Sequence, residues 1–540
     1  MTCRNAPLAL ALLALAGCVT APQPMAQAPV EVQILAINDF HGNLEPPRNS
    51  IDATTPDGTA VKVPAGGVAH LATAAKTLRA GQRSSMTVSA GDMIGASPLV
   101  SALFLDEPTI EAMEEVGVEY NAVGNHEFDK GSAELMRMQR GGCAMHTSRA
   151  PCAVEPFDGA DFRFLAANVV TANGSTLFQG SAIKDFGPVR VGVIGMTLKE
   201  TSTLVSPAGV AGLRFADEAT TANAAAAALK ADGASAIVLL IHQGARTTGG
   251  YNDKNCPELS GDILPIVARL DPAIDVVVSG HTHNAYICEL PRPAARPLLL
   301  TSAGRYGTLI SDIRLTFGPD RRLIGHRADN VIVQGEGYSS GGTTVPVVAS
   351  LPSYPANPAA KALVDRYVAA AAPQAARVVG RLAAPVTREE SDDREQTAGN
   401  LIADAQLAAS RAQGAQIAFI NSGGVRTDLA PSGDGSVTFG QIFAMQPFGN
   451  SLVVKTLTGA QLKTLLEQQF ASGTNTAERP NMLLPSNGFF FAYDLRRAAG
   501  DRIVEMRLDG RAIVPAARYR VTVNNFMASG GDNFTVLTEG

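Results

Sequence analysis

Five apolar segments in the first half of this chain are each followed directly by side chains that can bind a metal ion. The chain has 8 His among 540 residues, and five of them lie in these clusters. Packing alone does not explain such a concentration of imidazoles. The clusters are Asn38-Asp39-Phe40-His41-Gly42, Gly91-Asp92, Gly124-Asn125-His126-Glu127-Phe128-Asp129, His242-Gln243-Gly244 and Gly280-His281-Thr282-His283.

The residue types in these clusters predict a site for two metal ions. In Asp39-Phe40-His41 and in His281-Thr282-His283 two ligands are two positions apart, and alternate residues share one side of an extended segment. Nitrogen and oxygen ligands without a thiolate suit Zn, Mn, Fe or Co better than Ca or Mg. One carboxylate must bridge the pair, and we expect that it is Asp92. Two ions about 3.5–4 Å apart can hold an activated water and clamp a phosphate for in-line displacement.

A second group of clusters lies near the end of the chain and has the features of a nucleotide pocket. Glycine pairs allow close backbone approach to a ligand, Arg426 can grip a phosphate with two hydrogen bonds, and Asp532 can accept ribose hydroxyls. Phe448 and Phe526 lie in predicted loops, where they can sandwich a base; alternatively, both rings pack inward as loop anchors. The clusters are Asn421-Ser422-Gly423-Gly424-Val425-Arg426, Gln446-Pro447-Phe448-Gly449-Asn450 and Asn525-Phe526-Met527-Ala528-Ser529-Gly530-Gly531-Asp532.

The elements that must position these residues form an α/β pattern with helices covering sheets. Ala-rich segments such as 220–233, predicted as a helix, separate continuous apolar runs typical of strands buried on both faces. Because ligands bind where the carboxyl ends of such strands converge, the five clusters are expected to meet. The predicted strands are 32–37, 86–91, 119–124, 162–168, 189–195, 236–242 and 275–280, then 416–420, 451–456, 489–493, 503–508 and 519–523.

A change in composition after about residue 334 divides the chain into a domain at 30–334 and a second α/β domain at 380–540. Segment 336–357 is rich in Gly, Ser and Pro and is predicted to be a linker. A connecting helix is predicted from Pro358 to about residue 379, with Asn357 as its N-cap, so that 335–379 joins the domains. Because the chain ends at Gly540 soon after a Gly-rich motif, we expect a closing element to be missing.

Charge and hydropathy exclude several classes of protein. There are 44 Lys plus Arg and 50 Asp plus Glu, a net charge of −6, and 46% of residues are hydrophobic. The chain is therefore not disordered, and it lacks the basic character of a protein that binds nucleic acid polymers. Beyond the N-terminus no apolar run reaches the roughly 20 residues of a membrane span.

The N-terminus is predicted to be a signal peptide of residues 1–18 followed by a tether at 19–29. The apolar run 7–16 is too short to span a bilayer, and it ends in Leu15-Ala16-Gly17-Cys18, which resembles a bacterial lipobox. We favour lipidation of Cys18 over ordinary secretory cleavage nearby. The protein is then exported and is held at the periplasmic or cell surface only by a lipid anchor.

Four further cysteines remain in the predicted mature chain, and an even number in an exported protein indicates disulfides. Four cysteines allow three pairings. We expect Cys143 to pair with Cys152, which closes a short loop, and Cys256 to pair with Cys288. Neither pair has the spacing of a zinc knuckle.

The first set of clusters resembles the calcineurin-like metallophosphoesterase family, with Gly-Asn-His-Glu-Phe-Asp at 124–129 and Gly-His-Thr-His at 280–283 as the most specific pieces. The resemblance implies a layered β-sandwich flanked by helices. It also implies that His126 is no ligand and that, paired with Asp129, it stabilises phosphate charge or assists the leaving group. The implied ligands are Asp39, His41, Asp92 and His283 for one ion and Asp92, Asn125, His242 and His281 for the other.

The second set resembles the C-terminal domain of the 5′-nucleotidase family, in which two aromatic rings stack the base and an Asp binds the ribose. Gly399-Asn400-Leu401-Ile402-Ala403-Asp404 resembles a helix start of that family, and Arg394 becomes a second substrate arginine. The implied function is hydrolysis of extracytoplasmic nucleotides or nucleotide sugars. The implied substrate residues are Asn421, Gly424, Arg426, Phe448, Asn450, Phe526 and Asp532.

Other functions use the same scaffold and remain alternatives. They are a 2′,3′-cyclic-nucleotide phosphodiesterase with 3′-nucleotidase activity and a hydrolase of sulfur compounds. A non-catalytic surface binding protein is the alternative from another class, and it predicts a degraded ligand set. Every expected ligand is present here, which favours an enzyme.

Overall fold

The computed structural model describes residues 1–2, 29–293, 295–340 and 343–539. Residues 3–28, which hold Cys18 and nearly all of the predicted signal peptide and tether, lie outside the described part. In the described ranges, no helix is both long enough and apolar enough to cross a bilayer.

The first domain contains two six-stranded sheets. In the first sheet, Val30–Ile37 pairs parallel with Ser85–Ser89 and antiparallel with Leu309–Phe317. The spatial order of the first sheet is Leu323–Ile332, Leu309–Phe317, Val30–Ile37, Ser85–Ser89, Tyr120–Ala122 and Arg163–Leu165. The spatial order of the second sheet is Ala285–Leu290, Leu298–Ala303, Val276–Ser279, Ala236–His242, Arg190–Thr197 and Ser181–Asp185.

The sheets face each other across a buried apolar core. Side chains alternate between the two faces along Val30–Ile37. Ile34 and Ala36 therefore point into this core, while Leu35 and Ile37 face a layer of helices. The predicted layered α/β fold, a sandwich flanked by helices, is confirmed. The helices on the first sheet are Val68–Arg79, Glu107–Val116, Ser132–Arg140 and Pro358–Ala375; those on the second are Glu218–Ala231 and Ile263–Val267.

Smaller elements decorate the sandwich. The short helices are Leu99–Ala102 and Thr201–Leu204, and the two-stranded sheets pair Asn49–Thr54 with Ala60–Ala65, Val169–Thr171 with Leu213–Phe215, and Tyr338–Ser340 with Thr343–Val345. Two disulfides join Cys143 to Cys152 and Cys256 to Cys288, the pairings that the sequence favoured.

The end of the predicted linker at 336–357 packs on the first domain. Tyr354 is buried, its backbone N donates to Gln334 O at 2.9 Å, and its carbonyl lies 2.7 Å from His70 Nδ1. The Gln334 side chain donates in turn to carbonyls of the segment. These contacts hold the segment against the domain.

The connecting helix is Pro358–Ala375, and the Asn357 side chain accepts from the backbone N of Ala359 and Ala360 as an N-cap. It ends earlier than predicted because Val378–Arg381 forms a strand with Ser436–Thr438. Its buried face joins the core of the first domain. The helix is therefore packed on the first domain along its length.

The second domain is built on a four-stranded sheet, in the order Leu452–Thr458, Arg518–Asn524, Ile417–Asn421 and Leu483–Pro485. Ile417–Asn421 and Arg518–Asn524 are parallel, so the loops that follow them share one edge. A three-stranded sheet packs beside it. That sheet contains Phe489–Tyr493, Ile503–Leu508 and Arg511–Ala512, and the helices are Thr397–Ser410, Phe439–Met445, Gly459–Glu467 and Asn525–Ala528.

Candidate metal centre and substrate cleft

The predicted metal ligands of the first domain meet at one edge of the sandwich. Each follows the carboxyl end of a parallel strand, where loops from neighbouring strands converge. The first sheet supplies Asp39, His41, Asp92 and Asn125, and the second supplies His242, His281 and His283.

The loops that carry these ligands are strained. Five of the ligands have φ between 48° and 70°, a left-handed conformation that costs of order 1–3 kcal/mol for residues other than glycine. The loops also approach one another so closely that a Cβ at Gly124 would lie 2.2 Å from Asp92 Oδ1. Such strain is typical of functional sites. The five ligands are Asp39, His41, Asp92, His281 and His283.

Asp39, His41 and His283 form the first group. His41 Nε2 lies 3.1 Å from His283 Nε2, and His283 Nε2 lies 3.3 Å from Asp39 Oδ1. His41 Nδ1 donates to the carbonyl of Gly95 at 2.9 Å, which leaves the Nε2 lone pair directed at the group.

Asp92, His242 and His281 form the second group. His242 Nδ1 donates to Ala90 O at 2.8 Å, and its Nε2 lies 2.9 Å from Asp92 Oδ2. Asn125 Oδ1 lies 3.1 Å from His281 Nδ1. Asp92 is thus surrounded by the ligands predicted for one ion.

Asp92 lies between the two groups, because its Oδ2 is also 3.7 Å from His41 Nε2. Burial alone would lower the pKa of His242, but the Asp92 carboxylate outweighs burial and raises that pKa to about 10. Burial and the charge of His242 lower the pKa of His281 to about 4. Two buried carboxylates set among imidazole rings require positive charge beside them, so this donor set fits divalent cations.

Glu127 has a structural role here that the sequence motif did not reveal. Its Oε2 accepts from the backbone N of Asp92 at 2.9 Å and of Gly124 at 2.7 Å, and its Oε1 accepts from the backbone N of Met93 at 2.9 Å. The buried carboxylate therefore ties the loop that carries Asp92 to the loop that begins at Gly124.

His126 and Asp129 form a pair beside the metal ligands. His126 Nδ1 lies 2.8 Å from Asp129 Oδ2, which also accepts from the backbone N of Ala96 at 3.2 Å. Burial opposes protonation of His126, but Asp129 and Asp92 outweigh it and raise its pKa. With Nδ1 held by Asp129, the other ring nitrogen is free for a ligand.

A cleft of about 250 Å³ runs from the metal ligands to the second domain. The Phe448 ring is stacked on His126, with centroids 5.9 Å apart, so the domains touch beside the metal ligands. The cleft contains every predicted substrate residue except Arg394. It is lined by Asn125, His126, Asp129 and His281 from the first domain and by Asn421, Gly424, Arg426, Phe448, Asn450, Phe526 and Asp532 from the second.

The end of this cleft in the second domain is a hydrogen-bonded cluster. Asn421 Nδ2 donates to Asp532 Oδ2 at 2.6 Å, and Asn524 Nδ2 donates to Asn421 Oδ1 at 3.3 Å. Burial raises the pKa of Asp532. Phe526 lies on the short helix Asn525–Ala528, where a loop was predicted, and it both lines the cleft and packs against the domain core.

The structure does not bring Arg394 to this cleft. Arg394 lines a different cavity, beside Phe489 and Tyr493. Arg388, which sequence analysis missed, lies instead beside Arg426 in an adjoining cavity between the domains. Burial and the Arg426 charge lower the pKa of Arg388. The sequence signal for Arg388 was only its place eleven residues before the start of the motif at 399–404.

Both halves of the chain match models of known families. The model described as calcineurin-like phosphoesterase matches residues 32–285, and the model described as 5′-nucleotidase, C-terminal domain, matches residues 378–539. Each match covers the site residues of its half.

Several known proteins are similar over most of this chain. Endonuclease YhcR of Bacillus subtilis is 31% identical over 514 residues, which cover 94% of this chain and 38% of that protein. Cell wall protein Lmo0130 of Listeria monocytogenes is 30% identical over 541 residues, covering 94% and 64%. This chain therefore spans less than two thirds of either relative. The crystal structure of a 5′-nucleotidase precursor from Thermus thermophilus has a TM-score of 0.73 at 27% identity, covering 94% of this chain and 92% of that one.

Proposed function

This chain belongs to the 5′-nucleotidase family of calcineurin-like metallophosphoesterases, and from that premise we propose that it hydrolyses the phosphate esters of nucleotides. One observation carries the proposal. A single cleft is lined at one end by metal ligands such as His281 and at the other by Phe448, Phe526 and Asp532. A phosphate at the first end and a nucleoside at the second together make a nucleotide.

The two groups of ligands at the sandwich edge would each hold one divalent ion, with Asp92 shared between them. The absence of thiolates favours Zn, Mn, Co or Fe. When bound, such ions polarise a phosphate and lower the pKa of an attacking water. The backbone carbonyls of Gly95 and Ala90 fix the tautomers of His41 and His242, so the ligand nitrogens are oriented before an ion arrives.

The second domain would hold the nucleoside. Phe448 and Phe526 stack the base, with a gain of about 1–3 kcal/mol per base from stacking. Asp532 accepts ribose hydroxyls, and its hydrogen bond from Asn421 holds the carboxylate in place. Gly424 and Asn450 line the same cleft and complete the pocket.

Cationic side chains around the reacting phosphate would stabilise its charge. Arg426 and Arg388 approach it from the second domain, and neither guanidinium forms an ion pair in the part of the chain that the structure describes. His126 donates a hydrogen bond from the ring nitrogen that Asp129 leaves free and assists the leaving oxygen. Roles of this kind contribute roughly 10²–10⁴-fold in rate.

The protein would act outside the cytoplasm. Two disulfides are typical of proteins that fold in an oxidising compartment. The lipobox-like sequence ending in Cys18 supports anchoring by lipid after export. A nucleotide or nucleotide sugar outside the cytoplasm is then the substrate that reaches the cleft.

Assays of free phosphate and, by chromatography, of the nucleotide products test this function, because opening a cyclic phosphate or splitting UDP-glucose releases no free phosphate by itself. The metal-free protein is reloaded with Mn, Co or Zn and given AMP, 3′-AMP, 2′,3′-cyclic AMP and UDP-glucose at matched concentrations. We expect 5′-nucleotides to give the highest kcat/KM. If the cyclic or 3′-nucleotide is preferred, the cyclic phosphodiesterase replaces this proposal, and if no nucleotide releases phosphate with any metal, the proposal is wrong.

A further inference from the structure

Gly95 and Ala96 lie between two parts of the proposed catalytic centre. The carbonyl of Gly95 accepts a hydrogen bond from Nδ1 of the predicted ligand His41 at 2.9 Å, and the backbone N of Ala96 donates to Asp129 Oδ2 at 3.2 Å. Asp129 in turn holds the ring of His126. Two consecutive residues therefore support both a metal ligand and the pair that would assist the leaving oxygen.

The backbone of Gly95 is packed tightly against the turn that carries this pair. Gly95 has φ of 82°, and a Cβ added to it would lie 2.2 Å from the carbonyl oxygen of His126 and 2.9 Å from Asp129 Oδ2. Protein interiors are close-packed and transmit small displacements. A shift of Gly95 would therefore move the His126 turn, the His41 ring or both.

A buried carboxylate, that of Asp106, holds Gly95 from behind. Asp106 is fully buried, and its Oδ2 accepts from the backbone N of Gly95 at 3.4 Å and from Lys130 Nζ at 2.5 Å. Its Oδ1 accepts from Ser101 Oγ at 2.6 Å. Burial alone would raise the pKa of Asp106, but Lys130, together with serine hydroxyls, outweighs burial and lowers that pKa. The carboxylate is therefore charged and paired.

Lys130 connects the same carboxylate to the catalytic turn by a second route. Lys130 directly follows Asp129 in the chain, and its ammonium reaches back to Asp106. One ion pair thus holds the turn of His126 from one side and Gly95 from the other. The Lys130 side chain is 25% exposed and lines a cavity of about 530 Å³ between the domains, so side chains of other shapes have room there.

We propose that the ion pair between Asp106 and Lys130 is a positioning element, which keeps a metal ligand in register with the pair of His126 and Asp129 through Gly95. This inference rests on the proposed function, which assigns these groups to one reaction. The contacts that carry the inference all lie within the first domain. The ion pair should therefore control the rate and the binding of one metal ion, while recognition of the nucleoside stays nearly unchanged.

The test combines metal binding with kinetics in Lys130→Met and in the double variant Asp106→Asn/Lys130→Met. Mn is titrated into each metal-free protein by calorimetry, and kcat and KM are then measured with AMP and p-nitrophenyl phosphate in excess Mn. We expect one Mn ion to bind about tenfold or more weakly, because His41 belongs to only one ligand group and outer partners of metal ligands contribute about 10–100-fold.

The kinetic expectation separates positioning from recognition. We expect kcat to fall about tenfold or more for both esters, because small misplacements of catalytic groups are costly. KM for AMP should change less than about twofold, because the groups that would bind the nucleoside are not moved. Thermal unfolding should show that the double variant regains stability relative to Lys130→Met, since it leaves no unpaired buried charge. Its kcat should stay low, because the connection to Gly95 is still missing.

Two single variants are the controls. Lys130→Arg keeps the charge in a cavity with room for a guanidinium, so it should keep most of kcat. Lys184→Met is the matched control, because Lys184 Nζ also lies 2.5 Å from a carboxylate, that of Glu119, and is 35% exposed. Glu119 precedes the strand Tyr120–Ala122, whereas the ligand Asn125 follows it, so this pair lies at the opposite end of the sheet. Lys184→Met should bind Mn and turn over as wild type does.

Several results would overturn the inference. They are unchanged kcat and Mn affinity in Lys130→Met, full recovery of both in the double variant, or equal losses in Lys184→Met. A rise in KM for AMP with unchanged kcat would also overturn it, because it would place the ion pair in recognition. If wild type releases phosphate from p-nitrophenyl phosphate but from no nucleotide, the proposed function is wrong. Mn binding and the generic ester would then still decide the inference.

Discussion

Glu127 gives the sharpest test of how the metal centre is built, because it is no ligand yet fixes the loop that carries Asp92. We expect Glu127→Gln to lower metal occupancy and thermal stability together. The substitution keeps the volume of the side chain and removes no ligand atom. Any loss of metal would therefore arise indirectly, through the loops that carry Asp92 and Asn125.

The expected loss in the free energy of unfolding follows from the hydrogen bonds that the Glu127 carboxylate accepts from three backbone N–H groups. A glutamine has one acceptor oxygen, so its NH₂ group must face at least one of these donors. The change loses a hydrogen bond to a charged group, about 1.5–3 kcal/mol, and leaves a buried N–H unpaired, about 1–3 kcal/mol. The expected cost is about 3 kcal/mol or more. At roughly 2 °C or more per kcal/mol for a large domain, the melting temperature falls by about 6 °C or more.

Elemental analysis of dialysed protein and thermal unfolding with and without added Mn measure both effects. Glu114→Gln is the matched control, because Glu114 accepts a single backbone N–H, from Asp161 at 3.0 Å, far from the metal ligands. It should lose little stability and no metal. Full metal content in Glu127→Gln, or equal losses in both variants, would refute the reasoning.

Three further predictions follow from the site and the N-terminus. Asp92→Asn should abolish activity and empty both metal positions while the fold persists, because one full charge between two cations is lost; two bound metals with normal turnover would show that another group bridges them. Phe448→Ala or Phe526→Ala should lower the ratio of kcat/KM for AMP to that for p-nitrophenyl phosphate by the equivalent of about 1–3 kcal/mol, since the generic ester has no base to stack; an equal fall for both substrates would mean that the rings are structural. Cys18→Ser should move the protein from the membrane to the soluble envelope fraction or block its processing, and a mature form that stays on the membrane would contradict lipidation.

Burial on both faces helped to locate some strands, although the fully buried Leu298–Ala303 was not predicted and the partly exposed Phe489–Tyr493 was predicted with its bounds. Ala236–His242 coincides with the predicted 236–242 because every residue in it is buried and apolar until the final His. Leu323–Ile332 was missed because it lies at a sheet edge, where exposed positions carry polar residues such as Arg327 and interrupt the apolar run. A strand at an edge has a weaker pattern than one in the middle of a layered fold.

The end of the connecting helix shows a different limit of prediction from a single sequence. Residues 376–379 have no helix-breaking residue, so local propensity extends the helix to about 379. The chain instead leaves the helix at Ala375, and Val378 pairs with Thr438, about sixty residues later. A distant partner decided the boundary, and single-sequence reasoning has no access to such a partner.

The metal ligands were predictable for a local reason, because each directly follows an apolar strand. The supporting residues were not. Glu127 accepts from backbone groups of two loops, and Arg388 Nη1 lies 3.3 Å from the carbonyl of Arg426, which is 38 residues away in the chain. Arg394 was the second substrate arginine expected from the sequence. Its backbone has φ of 63°, and its side chain lines a different cavity.

On the proposed function, a metal centre of this kind needs a second domain. The metal ligands of the first domain would bind only the phosphate end of a nucleotide, so they offer no means to recognise a nucleoside. Recognition of the base would fall to the Phe448 ring, which stacks on His126, and His126 Nδ1 lies 2.8 Å from Asp129 Oδ2. Selectivity and chemistry would then meet at one histidine, and a change in the position of the second domain would alter substrate choice and the environment of the leaving group at the same time.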